Sequence, residues 1–342
     1  MIKAFIFTVP FLIIFMCKLS FGDAGLWEEY KSKFINEDGR VIDFYNKHTS
    51  HSEGQSYGMA LAVKFNELDT FDKLWKWTRD NLSVREDNLF AWQWGEKTDG
   101  KWGVIDYNNA TDGDVLLALT LLEAERKWPG NGYKDNALTI IKSIRENLAI
   151  HWEGNTLLLP GYFGFTNNDT LTLNPSYFIF PTYRRFAKVD ESLFWKNVYK
   201  SSINILTKSC FGSMHLPSDW IGLNNRGVFA HNEKPPHFGY DAIRTLFYLA
   251  QEDSFPVTKG LKHLLDIYRR LGYLPLWVNV VNDSISLKDA PAGFYAVIAL
   301  TAKKIGEPEL SKKLFKNASD KLDKNDYYTF SLYLLAVTGG FP

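Results

Sequence analysis

A chain of 342 residues is long enough to bury one large core or two smaller ones. Its 39 basic and 39 acidic side chains cancel, which argues against nucleic acid and anionic membrane surfaces as partners. Aromatics make up 15%, with 11 Trp and 17 Tyr, a composition that fits a large aromatic core and also a groove whose rings stack on a flat, uncharged ligand such as a sugar.

The first residues read as a targeting segment. Lys3, an apolar run from Ala4 to Met16 and the stretch Ser20-Phe21-Gly22 have the layout of a secretory leader, 1–22, with cleavage after Gly22. The run is shorter than the about 20 residues of a membrane-spanning helix. Ile14-Phe15-Met16 ahead of Cys17 are too bulky for a lipid-attachment box. The mature chain, 23–342, then keeps one cysteine, Cys210, so its core is expected to carry stability without an internal disulfide.

Apolar spacing predicts a first helix over 24–36, with Leu26, Trp27, Tyr30 and Phe34 on one side, closed by the turn Asn36-Glu37-Asp38-Gly39-Arg40. After a polar connection a helix runs over 52–65, with Ser52 as its N-cap and Gln55 completing a capping box. Gly54 and Gly58 inside it cost about 1 kcal/mol each relative to Ala, which implies close approach of backbone or ligand. A helix over 70–82 follows. The stretch 87–107 breaks the pattern: Trp92, Trp94 and Trp102 alternate with Gly95, Gly100 and Gly103, as in an irregular loop or short hairpin. Thr111-Asp112-Gly113-Asp114 opens a helix over 115–128, stopped by Pro129-Gly130, and 135–149 is its partner.

The second half repeats the alternation. An aromatic loop, 157–165, precedes a helix from Asn174-Pro175 to about 187, then a helix over 191–208. A long loop, 210–236, contains Ser218-Asp219-Trp220, and Gly239-Tyr240-Asp241 opens a helix over 242–251. Helices over 257–271, 290–305, 307–318 and 325–337 complete the chain, with a loop or hairpin at 272–289. No β–α alternation is present, which excludes Rossmann and TIM architectures. No fixed-period repeat supports a solenoid. About twelve helices in six antiparallel hairpins fit an all-α closed toroid of two concentric rings. Its inner helices would all point their N-termini at one face, where the long loops shape a cleft.

Three carboxylates sit at helix starts facing that cleft: Glu53, Asp112 and Asp241. Taken singly, each could be an N-cap or a partner of the helix dipole. Together, among Trp-rich loops, they have the makings of glycoside hydrolysis, which needs one carboxylic acid for the leaving oxygen and one carboxylate for water or the sugar. The acid must hold a proton near neutral pH, and a helix N-terminus acts against that for Glu53. Asp112 beside it and a desolvated cleft would act the other way. Arg244, one turn after Asp241, would keep that residue ionised, as a base requires.

Ser52-Glu53-Gly54-Gln55-Ser56-Tyr57-Gly58-Met59, Ala110-Thr111-Asp112-Gly113-Asp114, Asn174-Pro175-Ser176-Tyr177 and Tyr240-Asp241-Ala242-Ile243-Arg244 resemble, in order, the motifs of glycoside hydrolase family 8. The resemblance is strongest to its periplasmic members encoded with bacterial cellulose synthases. It implies a single catalytic (α/α)6 barrel over 23–342 and an inverting endo-β-1,4-glucanase that is exported to the periplasm or the medium. It implies Glu53 as general acid, Asp241 as general base, and Asp112 holding the sugar at the point of cleavage. Trp92, Tyr177, Tyr240 and Arg244 are the implied substrate-binding residues. The expected partner is a β-1,4-glucan chain, cellulose or cello-oligosaccharide, with functional association with a cellulose synthase complex. No cofactor or metal is expected, and the chain is expected to be a monomer.

Three rival readings are open to the sequence. His48 and His51 near Glu53 could be metal ligands, but their spacing is loose. A xylanase or chitosanase could use the same barrel; a chitosanase would favour extra acids, which the balanced charge does not supply. A glycan-binding protein without activity would require loss of the acid or the base, and both are present.

Overall fold

The computed structural model describes residues 21–167 and 169–342. Residues 1–20 of the expected leader lie outside these. Among the described residues there are twelve α-helices: α1 (Phe21–Phe34), α2 (Ser52–Phe65), α3 (Leu68–Leu82), α4 (Thr111–Lys127), α5 (Tyr133–Asn147), α6 (Phe180–Phe186), α7 (Ser192–Lys208), α8 (Ala242–Leu249), α9 (Thr258–Leu271), α10 (Ala292–Lys304), α11 (Pro308–Asp320) and α12 (Tyr327–Val337).

Burial sorts them into two rings. α2 is buried on every side from Gly54 to Val63, α4 from Thr111 to Ala124, and α8 along its whole length. Helices enclosed all round belong to the interior of a large core. α3 instead buries one stripe, Phe71, Leu74, Trp75, Thr78 and Leu82, and α9 buries Leu261, Leu264, Leu265 and Tyr268. Such stripes cover a core from outside. The inner ring closes: α2 packs on α4, α4 on α6, α6 on α8, α8 on α10, α10 on α12, and α12 returns to α2. Behind it lie α3 on α2, α5 on α4, α7 on α6, α9 and α11 on α10, and α1 on α12 and α2. This is the expected (α/α)6 barrel.

Small residues set how closely the inner helices meet. A Cβ on Gly113 would overlap Ser52 Oγ and stand 3.1 Å from the Glu53 backbone nitrogen, so α2 and α4 touch at their N-termini through a residue that must be glycine. The close approach expected at Gly54 and Gly58 is made by side chains. A Cβ would meet the Tyr327 ring at 3.2 Å in one case, and Val41 at 3.1 Å and Leu74 at 3.2 Å in the other.

The loops carry more strand than the sequence shows. β1 (Ser50–His51), β2 (Ala91–Glu96) and β3 (Trp102–Asn109) form an antiparallel sheet, and β4 (Ala149–Trp152) pairs with β5 (Asn155–Leu158). β6 (Thr166–Asn167), β7 (Thr170–Leu173), β8 (Cys210–Phe211), β9 (Leu216–Pro217), β10 (Ile221–Asn224), β11 (Gly227–Ala230), β12 (His237–Phe238) and β13 (Val278–Asn279) follow. Four of them form a sheet in the order β11-β10-β7-β6, and the expected loop 210–236 holds four strands, β8 to β11. These strands are too short for a period to register, and β10 finds its partner β7 some fifty residues back. The expected helix over 174–187 is also two pieces: a 3₁₀ turn at Pro175–Tyr177, capped by Asn174, and then α6. Pro181 disfavours helical backbone in the residue before it and lacks the N–H that a continuous helix would use.

Candidate active site

A cavity of about 270 Å³ opens where the inner helices begin. Ser52 and Glu53 enter it from α2, Asp112 from α4, Asp241 and Arg244 from α8, and Tyr327 and Tyr328 from α12. Tyr177 lines it from the turn ahead of α6, and Asp43, Asn46, His51 and Trp92 line it from the loops. Four of the six inner helices therefore deliver their starts to one space, as antiparallel hairpins require, and the turn ahead of α6 adds Tyr177.

Arg244 organises the floor. Its Nη1 donates to Glu53 Oε1 and, at 2.8 Å, to Asp112 Oδ2. Its Nη2 donates to Asp241 Oδ1 at 2.6 Å and to Ser176 Oγ at 3.1 Å. The cation expected to serve Asp241 alone thus serves all three carboxylates, so it does not by itself set base apart from acid. What separates them is access: 2% of the Asp112 side chain is exposed, against 19% for Glu53 and 31% for Asp241. Burial first, and then the charge of Glu53, raise the Asp112 carboxyl to about 7, with Arg244 opposing. Tyr57 OH donates to Glu53 Oε1 at 2.5 Å. Burial and the Glu53 charge hold that phenol well above its ordinary value, so it remains a donor. Among the described residues, the side-chain hydrogen bonds of Glu53 and Asp241 fall on Oε1 and Oδ1, leaving Oε2 and Oδ2 for other partners.

The capping box expected at α2 does not form. His51 holds the N-cap position without a side-chain cap, and Ser52 Oγ is buried without a partner. Gln55 turns outward from the helix start. It accepts from Val41 N at 2.5 Å and donates to Thr78 Oγ1 at 2.9 Å and Gly39 O at 3.1 Å, tying the 39–41 turn and α3 to α2. A buried amide with several backbone partners gains more there than by capping a helix start already enclosed by protein. Asp114 is likewise structural: it accepts from Phe90 N at 2.9 Å and Asn109 Nδ2 at 2.8 Å, fixing both ends of the β2–β3 hairpin to α4. That hairpin carries register irregularities around Gln93, of the kind that re-aim side chains beside active sites. Trp92 is backed by His51, with ring centroids 5.6 Å apart and planes 11° apart. His51 thus serves as a ring support, and its Nε2 lies 3.2 Å from Thr49 Oγ1.

Of the sequence-selected residues, Glu53, Asp112, Asp241, Arg244, Tyr177 and Trp92 all line the cavity. Tyr177 stands 5.7 Å from the Arg244 guanidinium, ring to cation. Tyr240 lies beside the lining rather than in it: the residue is 48% exposed, its ring meets Phe294 edge-on, and its carbonyl accepts from Tyr328 OH at 2.6 Å. Sequence reasoning passed over Tyr327 and Tyr328, although the rule that inner helix starts face the cleft selects them too. It also passed over Asp219, whose Oδ1 accepts from Gly239 N and Ala242 N.

A double ring of helices with acids gathered at its inner N-termini, under rings that can stack on a sugar, is the scaffold of a glycoside hydrolase. The chain belongs to the glycosyl hydrolases family 8, whose family model matches residues 2–339. It is 37% identical over 290 residues to an endoglucanase of Cellulomonas uda, covering 84% of this chain and 79% of that one. It is 32% identical over 282 residues to a probable endoglucanase of Novacetimonas hansenii, covering 81% and 82%. The solved structure of endoglucanase Cel10 from Klebsiella pneumoniae superposes with a TM-score of 0.82 at 35% identity, over 91% of this chain and 97% of that one.

Proposed function

We propose that the chain is an endo-β-1,4-glucanase that cleaves cellulose-type β-1,4-glucan with inversion. Glu53 is the general acid, Asp241 the general base, and Asp112 the residue that holds the sugar at the cleavage point. The observation that carries this reading is the shared guanidinium: Glu53 and Asp241 occupy its two different terminal nitrogens, each with one oxygen left over. Glu53 gives its proton to the glycosidic oxygen as the C1–O bond breaks. Water attacks C1 from the opposite side and gives its proton to Asp241. Three carboxylates around one cation would carry two uncompensated negative charges if all were ionised. The cluster therefore keeps a proton into the neutral range, and the dry Asp112 reflects it.

Purified protein on carboxymethylcellulose and cello-oligosaccharides tests the reading. Fresh cleavage is expected to release α-anomeric ends, followed by NMR before mutarotation. β-Anomeric ends would make the enzyme retaining, and cleavage of xylan or chitosan in preference would move the substrate class. Trp92 and Tyr177 supply stacking surface in this proposal, with Tyr240 beside the lining. Trp92→Ala is expected to weaken cello-oligosaccharide binding by about 1 kcal/mol, read by calorimetry, with a small change in thermal midpoint. A large fall in midpoint with unchanged binding would make Trp92 a core residue. The proposal extends to export of residues 23–342 and to work beside a cellulose synthase, supported by the leader-like start and the motif resemblance. An uncleaved protein found in the cytoplasm would remove both extensions.

A further inference from the structure

We propose that Asp219 is a positioning residue for Asp241: it caps the start of α8 in place of Asp241, whose carboxylate is thereby left for Arg244 and for water. The proposal rests on Asp241 being the base. Asp241 immediately precedes α8 with helical backbone, φ −81° and ψ −54°, so it lacks the extended conformation from which an N-cap aspartate folds its side chain back onto the first helical N–H groups. It makes no such hydrogen bond. Asp219 Oδ1 accepts instead from Ala242 N at 2.7 Å and from Gly239 N at 2.9 Å, the donors on either side of Tyr240-Asp241. The contact is built from both sides. Asp219 N donates to His237 O at 2.6 Å, and a Cβ on Gly239 would stand 2.8 Å from Asp219 Oδ2, so any side chain there would press on the carboxylate.

A base that capped its own helix would have an oxygen committed to backbone and its carboxylate turned towards the helix axis. Handing that bond to a neighbour from a different loop leaves Asp241 Oδ1 to Arg244 and Oδ2 to the attacking water. The neighbour's own ionisation suits the arrangement. Burial, and then the Asp241 charge, push the Asp219 carboxyl up to about 7. Near neutrality it can be protonated without losing an acceptor oxygen, and it then adds no second charge beside the base. Asparagine has the same shape and the same acceptor.

The test is a set of variants on cello-oligosaccharides. Asp219→Ala is expected to lower kcat by about 100-fold with KM within about twofold, because a displacement of about 1 Å at a reacting group costs that much. Asp219→Asn is expected to recover kcat to within about tenfold of the parent, and it settles the matter if the alanine variant does not fold. In an Asp241→Ala background, Asp219→Ala is expected to have no further effect on the residual rate. A kcat for Asp219→Ala within twofold of the parent, equal losses in the alanine and asparagine variants, or a full Asp219→Ala loss persisting without Asp241 would each overturn the proposal. High activity in Asp241→Ala alone is a distinct result: it would remove the base assignment itself.

Discussion

Glu53→Gln is expected to lower turnover on β-1,4-glucan by about 10²–10⁴-fold, the contribution of a positioned general acid, while cello-oligosaccharides still bind. The amide is close in size to the carboxyl, and its oxygen can accept from Tyr57 OH and Arg244 Nη1 as Oε1 does now. Fold and cleft are therefore kept, and what disappears is the transferable proton. A sugar alkoxide is a poor leaving group, so the step that suffers is departure of the glycosidic oxygen. The loss should consequently be much smaller on a glycoside with an activated aryl leaving group, which departs with little protonation. Single-turnover rates on both substrates, with binding followed by calorimetry, check this. Near-parental turnover on glucan would sink the assignment of Glu53 as acid, and a loss equal on the two substrates would point to a disturbed cleft.

Arg244→Met is expected to do the greatest damage to stability, about 3–5 kcal/mol, the cost of removing one partner from a buried ion pair. Only 4% of the Arg244 side chain is exposed, and the contacts that would be abandoned are on three carboxylates. The pH dependence follows from sign. The Asp112 carboxyl is already raised from 3.8 to about 7 in the folded protein. A group raised on folding stabilises the native state at acid pH, and that contribution is lost as pH rises through the folded value. Arg244 is the cation that favours the carboxylate there, so its removal costs less where Asp112 is protonated and more where it is ionised. Urea denaturation should show a larger loss at pH 8 than at pH 5, on either side of the Asp112 value. Equal losses at both would mean that Arg244 acts through packing alone. Activity should fall as well, because the guanidinium is what holds Glu53, Asp112 and Asp241 in one geometry.

Most of the helices are legible in the chain because each carries its own signal. The stripe of α3, the Pro129-Gly130 stop after α4 and the burial-ready run of α12 are local facts, and tertiary packing did not need to override them. The errors fall where the deciding partner is distant. Gln55 follows Ser52 at capping-box spacing, but its partners Gly39, Val41 and Thr78 lie on other elements. The strands of 210–236 are only two to four residues long, too short to show a period, and β10 pairs with the distant β7 as well as with its neighbour β11. The helix expected over 174–187 divides at Phe178–Ile179, just ahead of Pro181 in the first turn of α6, which is a local signal in the sequence.

The sequence by itself determined the double-ring fold, the face on which the cleft opens and the three acids there. A hairpin of helices fixes direction, and direction decides which helix ends share a face. Only the tertiary structure decided how those acids relate to each other. Arg244 could be paired with Asp241 from spacing alone, because one helical turn joins them. That the same guanidinium reaches Glu53 and Asp112 depends on α2, α4 and α8 closing within a few ångströms of one another, which Gly113 permits. The charge state of the cluster follows from that closure, since burial and shared neighbours, not residue type, set which carboxyl keeps a proton.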